Sequence, residues 1–440
     1  MIKFLIITII ILLPHCSFDN KTGIWKNNNT ADLKKEDKFK DFKTLYSKKK
    51  KFDKIIIPSN ELTINLSSVK SNLKWLDEYY QNSNNLENFS YKNQNKIIFK
   101  SKKLSTKKTR ERLVFDGDKA LVADEKGNIV VYSFSSKEIT LKYNFYKKQF
   151  RNIKKNLNII IRDDIIYVGD NLGYLYALDY IDGKLLWAKY FQIPFKSNLK
   201  IIDDTIVLAD ANNSLYFINK SNGDKLRIIP TEENIIQNDF ISSLAINENF
   251  LFYLNTYGSL YSIDRNQKVN WFVNLNQSLD LNPNNLFYSN PIVIFKDKII
   301  VSTAEYLYFL NVETGATISK KSISSIIKPV VSKKNLFLIT QDNLLVCLDV
   351  DTGEILYSVD INQEIASYLK IKKKSITVKS LAIVNNNIFL FLRNSYLVKF
   401  TKEAKIKNID KLPINLGSFP IFINDSIIYL DQKNKLVVLD

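Results

Sequence analysis

The residue types that carry most protein chemistry are scarce in this chain. His15 is the only histidine, and the two cysteines are Cys16 and Cys347. A Ser-His-Asp or Cys-His nucleophile needs an imidazole to take its proton, and zinc, copper or haem sites need clustered His or Cys donors. No phosphate-cradling loop of G-x-x-x-x-G-K type occurs. Asp163-Asp164 has the composition of an acid–base pair. Similar polar pairs recur at Asp203-Asp204, Asp297-Lys298 and Asn386-Asn387, each ahead of an apolar run. Asp and Asn tolerate left-handed backbone angles, so these pairs read as tight hairpin turns. Cys347 takes the place of Ala177 in its strand, an inward slot for a small apolar side chain. No catalytic residue, metal ligand or cofactor is expected.

The elements that hold these residues repeat. An apolar strand followed by Asp or Asn comes round eight times, anchored on Ile129, Leu175, Leu215, Leu260, Leu307, Leu345, Leu397 and Leu436. The anchors are 38 to 52 residues apart. Strand repeats of about 40 to 50 residues are the mark of propeller blades. After several anchors a Gly-containing turn follows, at Gly183, Gly223, Gly315 and Gly353, where a positive φ closes the loop without steric cost. Eight residues past the Asp or Asn of that turn stand Trp187, Arg227, Ser319 and Tyr357; Trp271 follows Asp264 by seven.

The pattern D-x-x-T-G-x-x-x-W resembles the repeat of pyrroloquinoline-quinone-type propellers, with Asp179 to Trp187 its best copy. The expected fold is all-β: an eight-bladed β-propeller of four-stranded antiparallel blades over residues 94–440. The last repeat stops at Asp440 after three strands, which would leave an edge open to aggregation. The run Lys96 to Lys100 is the expected donor of the missing strand. Such a ring has a core of blade-on-blade interfaces in place of one globular centre.

The N-terminus reads as an export address. Lys3 precedes an apolar stretch, Phe4 to Leu13, that is too short for a membrane-spanning helix and suits a secretory signal over residues 1–15. Cys16 behind it resembles the lipidated first residue of a bacterial lipoprotein. His15 departs from the small residue usual before that Cys, and Ser17 in place of Asp favours the outer membrane. Residues 16–93, polar and rich in Asn and Lys, read as a flexible tether; Trp75, Leu76, Tyr79 and Tyr80 interrupt that polarity, and docking of this stretch on the propeller is the alternative to disorder.

The formal net charge is +18, with basic clusters at Lys48-Lys49-Lys50-Lys51, at Lys102 to Arg112 and at Lys372-Lys373-Lys374. An exported protein meets little nucleic acid, so these read as a solvated basic surface attracted to anionic lipid. Signal, lipid-type Cys, tether and ring together resemble the BamB-type outer-membrane protein assembly lipoproteins. That resemblance implies a non-enzymatic scaffold that binds periplasmic domains of the central barrel subunit of the assembly machine and handles unfolded β-barrel clients. It also points to Leu279, Leu281 and Asn282 as the partner-binding residues, with Asn282 where the family carries Arg. The rival resemblance is to quinone-dependent periplasmic dehydrogenases, which share the repeat but carry an adjacent-cysteine disulfide that this chain lacks; a ligand-binding propeller, a sensor or carbohydrate binder, is the further alternative.

Overall fold

A computed structural model describes residues 52–59, 61–233, 240–276 and 287–440, together with two short strands near the N-terminus. The chain divides into two compact units, Met1–Lys50 and Lys51–Asp440. In the first, Cys16–Phe18 pairs antiparallel with Trp25–Asn27, Cys16 opposite Asn27. Residues 279, 281 and 282 lie outside the described residues.

The second unit is a ring of eight antiparallel blades. Blade 2 shows the plan: Leu157–Arg162, Ile165–Asp170, Tyr174–Asp179 and Lys184–Tyr190, paired in sequence order. The turn between its first two strands holds Asp163 at φ 52° and Asp164 at φ 60°. The polar pair is therefore turn chemistry. The eighth blade takes three strands from Ile421–Leu439 and its outer strand from Ile97–Lys103, with Leu439 opposite Ile97 and Lys435 opposite Lys103. The closing strand expected at Lys96 to Lys100 is present and runs three residues further.

Apolar side chains cluster between successive blades. One cluster joins Leu121 and Val131 of blade 1 to Ile159 and Val168 of blade 2, and the next joins Tyr167 and Ala177 to Ile206 and Leu208 of blade 3. Cys347 is fully buried among Phe337, Tyr357 and the strands of blade 7, and burial pushes its thiol pKa up.

Tryptophan welds two of these interfaces. Trp187, on the outer strand of blade 2, lies over Gly223 of blade 3, and its Nε1–H donates to the Lys220 carbonyl at 3.1 Å. A Cβ on Gly223 would sit 2.6 Å from the Trp187 ring. Trp271 of blade 4 repeats this over Gly315, donating to the Val312 carbonyl at 3.1 Å. The glycines thus serve two needs at once, a positive φ and a bare face for the neighbour's indole.

The stretch read as a tether is packed from Phe52 onward. Residues 72–89 cross the centre of the ring and bond to the innermost strand of every blade. Lys74 and Trp75 pair with Asp116 and Phe115 of blade 1, and the Leu76 carbonyl accepts from Ile161 N–H of blade 2. Asp77 meets Lys200 of blade 3 at 2.5 Å. The carbonyls of Asn82 and Ser83 accept from Ile246 and Ile294 of blades 4 and 5. The Asn85 side chain bonds both Val331 N–H and its carbonyl in blade 6, each at 2.9 Å. Asn88 and Phe89 run parallel to Ile383 and Val384 of blade 7, and Asn72 takes Asn424 N–H of blade 8 at 2.9 Å. Phe89, fully buried, stacks on Phe422 at 5.1 Å and touches Trp75 and Tyr80. The segment is a plug in the ring's central channel.

Candidate functional site: a plugged central pocket

Each inner strand enters the ring from one face and ends at the other. The plug bonds largely toward the finishing ends: Asn385 and Asn424, just past two inner strands, donate to Phe89 and Asn72. The starting ends leave a pocket of about 490 Å³, floored by Trp75, Glu78, Tyr79 and Leu86 of the plug. Its walls are segments that lead into inner strands, among them Tyr288–Pro291, Ile326–Lys328 and Phe419–Pro420. Loops that join one blade's outer strand to the next blade's inner strand therefore meet at its mouth.

Among the described residues the lining combines apolar side chains with four basic ones, Arg112, Lys328, Lys379 and Arg393, and one carboxylate, Glu78. Arg112 is held between two rings, 4.4 Å from the centroids of Tyr79 and of Phe419, while Nη1 donates to the Glu78 carbonyl at 3.2 Å. Cation–π contacts of this kind fix the guanidinium plane. Lys379 Nζ donates to Glu111 at 2.9 Å and to the Gly417 carbonyl at 2.8 Å. Lys328 Nζ donates to the carbonyls of Tyr79, at 2.8 Å, and Asn84.

Burial governs the ionisation of this centre. Desolvation, aided by the nearby cations Arg112 and Lys200, holds the Lys328 pKa well below its usual range. Desolvation also lowers Lys200, opposed by its ion pair with Asp77. It raises Glu78, although Arg110 sits 3.1 Å away and, with Arg112, favours the carboxylate. Among the described residues no group of three His, Cys, Asp or Glu side chains is placed to hold a metal ion.

The structure redistributes the residues that the sequence singled out. Arg110 and Arg112, read as basic surface, turn inward to Glu78 and to the pocket. Lys372 to Lys374 are exposed, as read. Leu279, Leu281 and Asn282 belong to a connection whose described end, Tyr288 to Pro291, borders the pocket. The plug's role and the pocket cations were not read from the sequence. Another recurring residue was also missed, an Asp or Asn five positions before the anchor. Asp170 Oδ1 accepts from the N–H groups of Leu172 and Tyr174, and Asp124, Asp210, Asn255 and Asp431 cap their turns likewise. The constant spacing was a usable signal.

Comparison with known proteins bears on this geometry. The family model described as "Outer membrane protein assembly factor BamB" matches residues 92–320 and 303–395. The outer membrane protein assembly factor BamB of Legionella pneumophila is 22% identical over 212 residues, 45% of this chain and 52% of that protein, so the chain spans about half of that relative's length. An uncharacterised protein of Rickettsia conorii is 22% identical over 366 residues, covering 78% of this chain and 86% of the relative. Among solved structures, BamB from Moraxella catarrhalis superposes with a TM-score of 0.61 at 13% identity, covering 78% of this chain and 99% of that one. Quinohemoprotein alcohol dehydrogenase from Comamonas testosteroni gives 0.62 at 9% identity, over 83% and 80% of the chains. Such low identities establish the shared propeller fold and no shared chemistry. With the family model spanning most of the ring, the chain belongs to the BamB family of outer membrane protein assembly factors.

Proposed function

We propose that this protein is a non-enzymatic scaffold of the machinery that assembles β-barrel proteins into the outer membrane, lipid-anchored through Cys16 at the periplasmic face. Its partners are periplasmic domains of the central barrel subunit and unfolded β-barrel clients. The observation that carries the reading is the family match across residues 92–395. The ring suits the role because its chain connections converge on one face around a rigid, plugged centre. Leu279, Leu281 and Asn282, in one of those connections, are the proposed partner contacts, with the two leucines as the apolar anchors for another protein.

The test is a pull-down of the tagged protein from gently solubilised membranes, with the central barrel subunit expected among the retained proteins. A quinone-dependent dehydrogenase reading rests on the fold alone. Absorbance of a bound quinone after reconstitution with calcium would favour it, and an unchanged spectrum would favour the scaffold.

A further inference from the structure

We propose that the central pocket binds a carboxylate joined to an apolar body. Three observations carry this beyond the scaffold reading. The cavity is about 490 Å³, large enough for a polycyclic or extended apolar group. Its walls offer Leu86, Tyr288, Ile326, Ile327 and Phe419 to such a group. Among the described residues its charge is unbalanced: the guanidiniums of Arg112 and Arg393 and the amines of Lys328 and Lys379 line it against one carboxylate, Glu78.

The two described acids at the pocket are already engaged. Glu78 pairs with Arg110 at 3.1 Å, outside the lining, and Glu111 pairs with Lys379 at 2.9 Å. Arg112 has both faces covered by Tyr79 and Phe419, each 4.4 Å away, so a ligand meets the edge of the guanidinium, where its N–H groups lie. A planar fork of donors suits a carboxylate better than a point cation does. Arg393 is exposed and places a further cation in the lining. An entering anion would face Arg112 and Arg393, the two guanidiniums of the lining. Glu78 at the floor disfavours a second negative charge deeper in, which selects a ligand with one anionic end.

The probe is 1-pyrenebutyrate, titrated into the full-length protein and followed by pyrene fluorescence, with the neutral 1-pyrenebutyramide as the matched control. The acid should bind at least tenfold more tightly than the amide. R393E should cost at least fivefold in acid affinity and leave the amide unchanged. R112K keeps the charge but loses the fork, and should weaken the acid similarly; R393E decides the matter if R112K does not fold. Equal affinity for acid and amide, or acid affinity that R393E leaves unchanged, would overturn the proposal. Competition by inorganic phosphate as strong as by unlabelled 4-phenylbutyrate would also overturn it, because the apolar body would then contribute nothing.

Discussion

Two indoles tie neighbouring blades together by the same pair of contacts. Trp187 is 9% exposed, lies over Gly223 and donates to Lys220. Replacing it with Ala removes the ring, the hydrogen bond and the cover of the next blade's turn. Trp187→Ala is expected to cost about 3–5 kcal/mol of unfolding free energy, measured by chemical denaturation. Gly315→Ala should cost about 1–3 kcal/mol, since the added Cβ would lie 2.5 Å from Trp271 at a φ of 71°. Lys328 gives a pH signature. Its folded pKa lies well below the ordinary lysine value, so the unfolded chain holds more protons between the two. Stability must therefore rise with pH across that window. The denaturant midpoint of the wild type should gain on that of Lys328→Met as pH climbs from 7 toward 10, and a constant difference would show that Lys328 is not desolvated. The Trp187 and Gly223 positions were legible in the repeat, but their contact was not. The indole and glycine sit in different blades, and only ring closure sets which turn each indole covers.

The repeat unit was almost wholly readable, because strand alternation, Asp or Asn turns and Gly loops are local signals. The closing strand followed from one missing edge, and Ile97–Lys103 fills it. Trp75, Leu76, Tyr79 and Tyr80 signalled that this stretch could dock on the ring, but its path through the centre was hidden for a physical reason. A run such as Asn82-Ser83-Asn84-Asn85 has the composition of a linker. Inside the ring it meets inner strands whose channel-facing N–H and C=O groups have no further blade strand to pair with. Asn side chains supply both donor and acceptor, as Asn85 does to the backbone of Val331, and Asn84 Nδ2 donates to the carbonyls of Leu244 and Ile292, each at 2.9 Å. The aromatic residues then provide the apolar part, with Phe89 at the middle of Trp75, Tyr80 and Phe422. Phe89→Ala should destabilise by about 3–5 kcal/mol. Hydrogen exchange should show the Ile246 and Ile294 amides, bonded to the plug, losing protection more than amides of the outer strands. Equal loss throughout would mean the plug and ring unfold as a single cooperative unit.

At the scale of the molecule, the net charge of +18 suggested only a basic surface. The folded ring divides it: Lys372 to Lys374 face solvent, while Arg112, Lys328 and Lys379 turn to the centre. Shape alone leaves function open, because the same ring serves dehydrogenases. The family match carries the scaffold reading, and convergence of the chain connections on the pocket face says where partners should be sought. Replacing Leu279 and Leu281 with Asp should weaken partner association while leaving the thermal midpoint within a few degrees of the wild type. The most direct measurement is quantitative mass spectrometry of what copurifies with the tagged protein from mildly solubilised membranes. The scaffold reading predicts the central barrel subunit in stoichiometric recovery with the wild type and severalfold less with the double Asp variant. Repeated absence of that subunit from the wild-type eluate would contradict it.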